Sequence, residues 1–232
     1  MERLQIYALS VGLFYFSFLT IPAIIRYRLI LTNEFLQALV NTAVASTFST
    51  LIVLPLAALT AQGSLSGLGK AAVPVLTATV SVPHTAIGVL LSPLVFGSGT
   101  SDTMAAIVLA MAVVSLPIGF TVIRGAMASL GQGYFEFLRS MGLSGLRITA
   151  LTLRSVRTAV LLAFLLSWFR AFSELGALLI VARRPLTVGV YIYEFFLSRG
   201  TEFVVGGALA LVLLSLLVGF GVARLERDAG GR

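Results

Sequence analysis

Two opposite charges, Arg170 and Glu174, stand in "SWFRAFSELGALL", near the middle of an apolar run from Ala159 to Ala182. At i and i+4 on a helix they share a face and can pair, with arginine in the less favourable N-terminal order. Two roles fit them. They can form a structural ion pair inside a bundle, or Arg170 can offer its fork of donors to a passing anion. The chain has one histidine, His84, and no cysteine. That leaves no thiolate nucleophile, no disulfide and no ligand cluster for a metal. The chemistry open to these side chains is charge pairing and hydrogen bonding.

Hydroxyl groups recur at helical spacing in two other apolar stretches. Thr42, Ser46, Ser49 and Thr50 form one stripe, and Thr77, Ser81, His84, Thr85, Gly88 and Ser92 form another. Such groups can offer weak hydrogen bonds along a path through the membrane. Equally, small hydroxylated residues are ordinary contact surfaces between membrane helices. His84 reads as a hydrogen-bonded packing residue, and Pro83 beside it should free the carbonyl of Thr79 and bend the chain. "GSLSGLGKA" imitates a phosphate-binding loop, but Ser64 replaces the first glycine and Ala71 the magnesium-binding hydroxyl. It reads as a flexible turn and not as a nucleotide-binding loop.

Helices that cross a bilayer must position these residues. Hydrophobic residues make up 58% of the 232-residue chain and charged ones 11%, against about 25% charged in ordinary soluble domains. Six apolar runs can be read, at about 6–25, 38–60, 72–97, 104–123, 158–182 and 203–222, and roughly 20 apolar residues suffice to cross. The first run is long for a signal-peptide core and no A-x-A-like site follows it, so a retained helix is expected. Pro74, Pro83 and Pro93 interrupt the third, which should be kinked or broken.

With the N-terminus inside, Arg3, Lys70, Arg124, Arg139, Arg147, Arg154, Arg157, Arg224, Arg227 and Arg232 lie in the cytoplasm. Arg26, Arg28, Arg183, Arg184 and Arg199 lie outside. This satisfies the positive-inside rule and gives an N-in, C-in topology. The net charge of +7 sits in short segments between apolar runs, so it marks topology rather than a nucleic-acid partner. Arg26, Arg28, Arg183 and Arg184 can meet acidic patches on a docking protein or draw anions to an entrance. Snorkelling to lipid headgroups explains them as well.

About 34 residues, Arg124 to Arg157, separate the fourth and fifth runs, and a connection that long usually has its own structure or function. In "YFEFLRSMGL" the apolar spacing gives a short amphipathic helix with Glu136 and Arg139 on its wetter side. "GLSG" breaks it, and "LRITALTLRSVR" starts another helix leading into the fifth run. A short amphipathic helix of this kind lies on lipid or docks into a groove on a soluble partner.

"EFLRSMG" resembles the E-A-A-x-x-x-G motif of the permeases of ABC importers, with Glu136 and Gly142 at the two fixed positions and Phe137 and Leu138 replacing the alanines. Where that family continues with I-x-L-P, this chain has Thr152, Leu153, Arg154 and Ser155, so this part of the pattern is not kept. "FRAFSELGALLIVARRPLTVGVYIYEFF" is similar to the R-A-x-x-E-x-G-A and P-x-x-x-x-V-x-I-Y segments of molybdate and tungstate permeases. "VSVPHTAIGVLLSPLVFG" is similar to another segment of that group. Order and spacing agree over about residues 38–222.

The resemblance implies an all-α membrane protein of six transmembrane helices, N-in and C-in, with the transmembrane domain of a type I importer over 38–222, after an N-terminal helix and external loop at 1–37 and before a cytoplasmic tail at 223–232. It further implies a homodimer in the bilayer, two ATPase subunits that hold ATP and magnesium, and an extracytoplasmic binding protein. The loop helix from Tyr134 to Leu146 would be the coupling helix. Phe135, Leu138, Met141 and Leu143 would fill a groove on the ATPase, Glu136 and Arg139 would supply polar contact, and Gly142 would allow a sharp turn. Thr42, Ser46, Ser49, Ser81, His84, Arg170 and Glu174 are candidates for the translocation path. "VGVYIYEFF" would be a short re-entrant or surface helix. A permease for sulfate, thiosulfate or another small solute is the nearest rival. A passive channel or secondary transporter is a rival of another class, and it would not need the long helical loop.

Overall fold

The computed structural model describes residues 2–27 and 31–230, with the side chains of residues 2–4, 222 and 225–230 outside the description. Arg28 and Arg232 therefore lie outside it, as do the side chains of Arg3 and Arg227. The described chain is helical: α1 (Glu2–Arg26), α2 (Asn33–Gly63), a 3₁₀ helix (Gly67–Ala71), α3 (Ala72–Thr79), α4 (His84–Gly97), α5 (Met104–Ser129), α6 (Gln132–Ser140), α7 (Gly145–Ser155), α8 (Arg157–Phe172), α9 (Leu178–Val181), α10 (Val188–Arg199) and α11 (Thr201–Gly230).

Four helices, α1, α2, α5 and α11, are long and apolar enough to cross a membrane, and the number rises to six if each of two bent pairs is one span. The third run supplies one bent pair: the 3₁₀ helix and α3 meet α4 at 114°. Pro83 caps the start of α4 and has no amide to continue a helical ladder. The carbonyl of Thr79 does not go unpaired, because the amide of Val82 donates to it at 3.2 Å. The second pair is α7 and α8, bent by 86° at Val156. Reading 158–182 as one continuous helix is corrected here. Helix α8 ends at Phe172, and a turn leads to the single-turn α9.

At the centre, α2 packs most extensively on α5, and both pack on α8. The buried face of α2 carries Ala38, Thr42, Ala45, Ser46, Ser49, Thr50, Val53, Ala57, Ala58 and Ala61. Small residues along one face let helix backbones approach closely, the usual basis of helix association in lipid. Gly119 of α5 lies at the crossing, where an added Cβ would come within 2.9 Å of Ser167 Oγ and 3.3 Å of Val53 Cγ1.

The bundle has two distinct ends. At one, Thr32 caps α2 by accepting from the Phe35 amide at 3.1 Å and shares a hydrogen bond with the Tyr191 hydroxyl at 2.9 Å. Near it, Asn41 Nδ2 donates to the carbonyl of Leu186 at 2.9 Å, and Asp102 receives the Arg183 amide. At the other end, Arg124 Nε donates to Ser64 Oγ at 3.1 Å, and Phe135, Leu138 and Ile148 join the core of Ala57, Ala61, Phe120 and Ile123. The turn after α2 buries Ser64, and the chain goes on as a 3₁₀ helix.

Candidate functional site

The break before α4 and the break after α8 meet each other, and the charged residues lie in the seam. Arg170 is in the last turn of α8, Glu174 is in the turn beyond it, and His84 is the first residue of α4. Arg170 Nη2 donates to Glu174 Oε2 at 3.0 Å and lies 2.6 Å from each His84 ring nitrogen. Glu174 Oε1 accepts the Ala177 amide at 2.8 Å, tying the carboxylate to the backbone entering α9. The side chain of Glu174 is 0% exposed, that of Arg170 21% and that of His84 35%.

Backbones touch on either side of these charges. A Cβ on Gly88 would lie 2.8 Å from both Cα and O of Ala177, and one on Gly176 would lie 3.0 Å from His84 Cβ. Only glycine permits this approach, so α4 seats directly on the 174–178 turn. Beside the seam is a cavity of about 150 Å³ lined by Thr79, His84, Val114, Pro117 and Arg170, among others. The arrangement can pin two broken helices together and present guanidinium donors to that cavity. Among the described residues, no three of His, Asp and Glu group closely enough to hold a metal ion.

The pair on the sequence thus becomes a cluster of three, because folding brings His84 to it. Serine and threonine candidates divide. Thr42, Ser46, Ser49 and Thr50 are fully buried between helices. Thr42 Oγ1 donates to the Ala38 carbonyl at 2.7 Å and accepts the Val188 amide at 2.8 Å, which fastens α10 to α2. In this structure that stripe is a packing seam and not the wall of an open passage. Ser81, by contrast, is exposed.

Helix α6 presents two faces. Phe135 and Leu138 are buried in the chain's own core, which corrects their expected place in a partner's groove. Phe137 is 62% exposed and Met141 59%, with Glu136 and Arg139 also exposed and Leu143 half-buried. Gly142 follows at φ 74, a conformation that glycine reaches without steric cost. Phe137 escaped notice as a contact residue because α6 turns it outward from the bundle.

Of the outer arginines, Arg26 lies in the last turn of α1. Arg184 donates to Glu194 Oε2 through Nη1 at 3.0 Å and Nη2 at 3.1 Å. The amides of Arg183 and Arg184 donate to Asp102 Oδ1 at 2.6 and 3.1 Å. Asp102 adopts φ 53, so its carboxylate organises this corner from a strained backbone. Neither Asp102 nor Glu194 stood out in sequence. The turn-rich "GSGTSD" was the available signal for Asp102.

A bundle of apolar helices with broken spans and an amphipathic helix on one end is the architecture of a helical membrane protein. Over residues 53–230 the chain matches the family described as binding-protein-dependent transport system inner membrane component, and it belongs to that family. It is a multi-pass protein of the cytoplasmic membrane, of the permease class that works with a substrate-binding protein and an ATPase.

The chain is similar to the molybdate/tungstate transport system permease protein WtpB of Thermococcus kodakarensis, 29% identical over 190 residues, or 79% of this chain and 75% of the relative. The protein of that name from Pyrococcus furiosus is 33% identical over 140 residues, 60% of this chain and 56% of the relative. The tungstate uptake system permease protein TupB of Campylobacter jejuni is 26% identical over 148 residues, 59% of this chain and 60% of the relative.

Proposed function

We propose that this chain is the permease subunit of an ATP-driven importer of molybdate or tungstate. It would cross the membrane six times with both termini inside and work as a homodimer on two ATPase subunits. An extracytoplasmic binding protein would deliver the oxyanion, and ATP and magnesium would be held by the ATPase. The observation that carries this reading is the family match through α11, with relatives named for molybdate and tungstate transport. The segregation of segments 31–37 and 183–200 from 61–71 and 124–157 at opposite ends of the bundle supports the topology.

In this reading α6 is the coupling helix. Phe137, Met141, Glu136 and Arg139 contact the ATPase, while Phe135 and Leu138 anchor the helix in the core it shares with α2, α5 and α7. Movement of the ATPase displaces α6, and α7 carries that displacement to α8 across the bend at Val156. The far end of α8 is joined to α4 by the Arg170–Glu174–His84 cluster, so a shift of α8 moves the first turn of α4 and reshapes the cavity beside it. Glu174 offsets the charge of Arg170, which leaves donors for an oxyanion without a bare cation that would trap it. At the outer end, Arg26, Arg183 and Arg184 form the ground on which the binding protein docks, and Arg28, outside the described residues, joins them by its place in the sequence.

Reconstituting the permease with its ATPase and binding protein tests the reading. Binding protein loaded with tungstate or molybdate is expected to stimulate ATP hydrolysis. Stimulation by sulfate, with tungstate and molybdate silent, would replace the substrate assignment.

A further inference from the structure

At the α6 end of the bundle, three cations converge on one cavity that no carboxylate faces. The cavity holds about 350 Å³, and its lining includes Lys70 of the 3₁₀ helix, Arg124 of α5 and Arg139 of α6. Ser66 and Gln132 contribute further polar groups, and no acidic residue lines it. None of the three cations forms an ion pair with a carboxylate among the described residues. The hydrogen bond to Ser64 takes Nε of Arg124 and leaves both terminal nitrogens without a protein acceptor among the described residues. Helix α6 starts on the same wall, at Gly131 and Gln132, without a side-chain cap. Its first amides add to the positive field, as helix starts do where they receive anions.

We propose that this cavity is an anion site of the permease that takes a phosphate-class oxyanion: a tetrahedral dianion in solution or the phosphate of an acidic lipid. Three like charges around a shared space repel one another, and a tetrahedral anion turns that repulsion into charge-assisted hydrogen bonds. Arg124 and Arg139 supply forked donors and Lys70 a point charge, a combination suited to phosphate oxygens. The occupant bridges the 3₁₀ helix, α5 and α6, so it holds α6 against the bundle. The site stands on this geometry alone. Its consequence, a restraint on coupling, rests on the reading of α6 given above.

The test uses the full-length permease assembled with its ATPase in nanodiscs, with the variants Lys70→Gln and Arg124→Gln. Arg147→Gln, on an exposed position of α7 outside the cavity, is the control. In nanodiscs of zwitterionic lipid, calorimetric titration with inorganic phosphate or tungstate detects a free anion. Native mass spectrometry after exchange into phosphatidylglycerol detects a retained acidic lipid.

Binding in either arm that falls at least tenfold in both cavity variants and is unchanged in Arg147→Gln supports the site, and the responding arm identifies the source. Binding in neither arm, or equal binding in cavity and control variants, overturns it. Binding to the permease alone that disappears on assembly also overturns it, since a group of the ATPase would then occupy the cavity. A site that binds as expected while ATP hydrolysis ignores its occupancy leaves the site standing and counts against the coupling role of α6.

Discussion

Arg170 and Glu174 are joined at 3.0 Å, yet only Arg170 belongs to a helix. Glu174 lies two residues past the end of α8, where its other oxygen takes the amide of Ala177 and its neighbour Gly176 packs on His84. The pair is therefore a clamp at a chain break and not a rung inside a continuous span.

Removing the carboxylate alone should be severe. Glu174→Leu leaves Arg170 without its counter-charge in a poorly solvated seam, a loss of about 3–5 kcal/mol. The double variant Arg170→Leu with Glu174→Leu should recover part of that loss, as a thermal-unfolding double-mutant cycle on the purified protein would measure. Normal oxyanion uptake by the double variant would exclude an essential contact between Arg170 and the transported anion.

Neighbouring aromatics on α6 should behave in opposite ways. Phe135 is 6% exposed and Phe137 62%. Phe135→Ala should cost about 3–5 kcal/mol through the cavity it leaves. Phe137→Ala should stay within about 0.5 kcal/mol in stability while weakening co-purification with the ATPase. Equal retention of the ATPase by Phe137→Ala and wild type would remove the outward face of α6 from the coupling contact.

Gly142 is at φ 74 with open space around the position a Cβ would take. Any cost of substitution is thus conformational, roughly 1–2 kcal/mol for Gly142→Ala. Gly142→Asn should be milder, because asparagine visits the left-handed region more readily. Thermal melting of both variants checks the order, and the reverse order would mean that side-chain contact matters more than backbone.

The seam between α4 and the turn before α9 predicts a steric effect. Gly88→Val places its Cβ against the backbone of Ala177 and should destabilise by at least about 1–3 kcal/mol. Gly97→Ala, on the same helix with nothing within 4 Å, is the matched control and should melt close to wild type.

Most of the helical organisation could be read from the chain because apolar runs of sufficient length have few other fates. The break at Pro83 was legible too, since proline cannot donate to the ladder. The end of α8 at Phe172 was not. No proline or glycine marks it within "WFRAFSE", and the helix ends where Glu174 accepts from both the Arg170 side chain and the Ala177 amide. Phe135 and Phe137 are equally apolar in sequence, and only the burial of one face of α6 in the core shared with α2, α5 and α7 distinguishes anchor from exposed face.

Composition, run length and the placement of basic residues therefore determined by themselves that this is a helical membrane protein, and its motifs determined the family. These are properties of single segments, set by the transfer of each to lipid or water. The meeting of His84 with Arg170 and Glu174, the burial of the α2 hydroxyls and the gathering of Lys70, Arg124 and Arg139 were decided by tertiary structure alone. Each depends on which faces of distant helices touch. That is settled by small-residue packing and pairwise hydrogen bonding summed over the bundle, which no local stretch of sequence encodes.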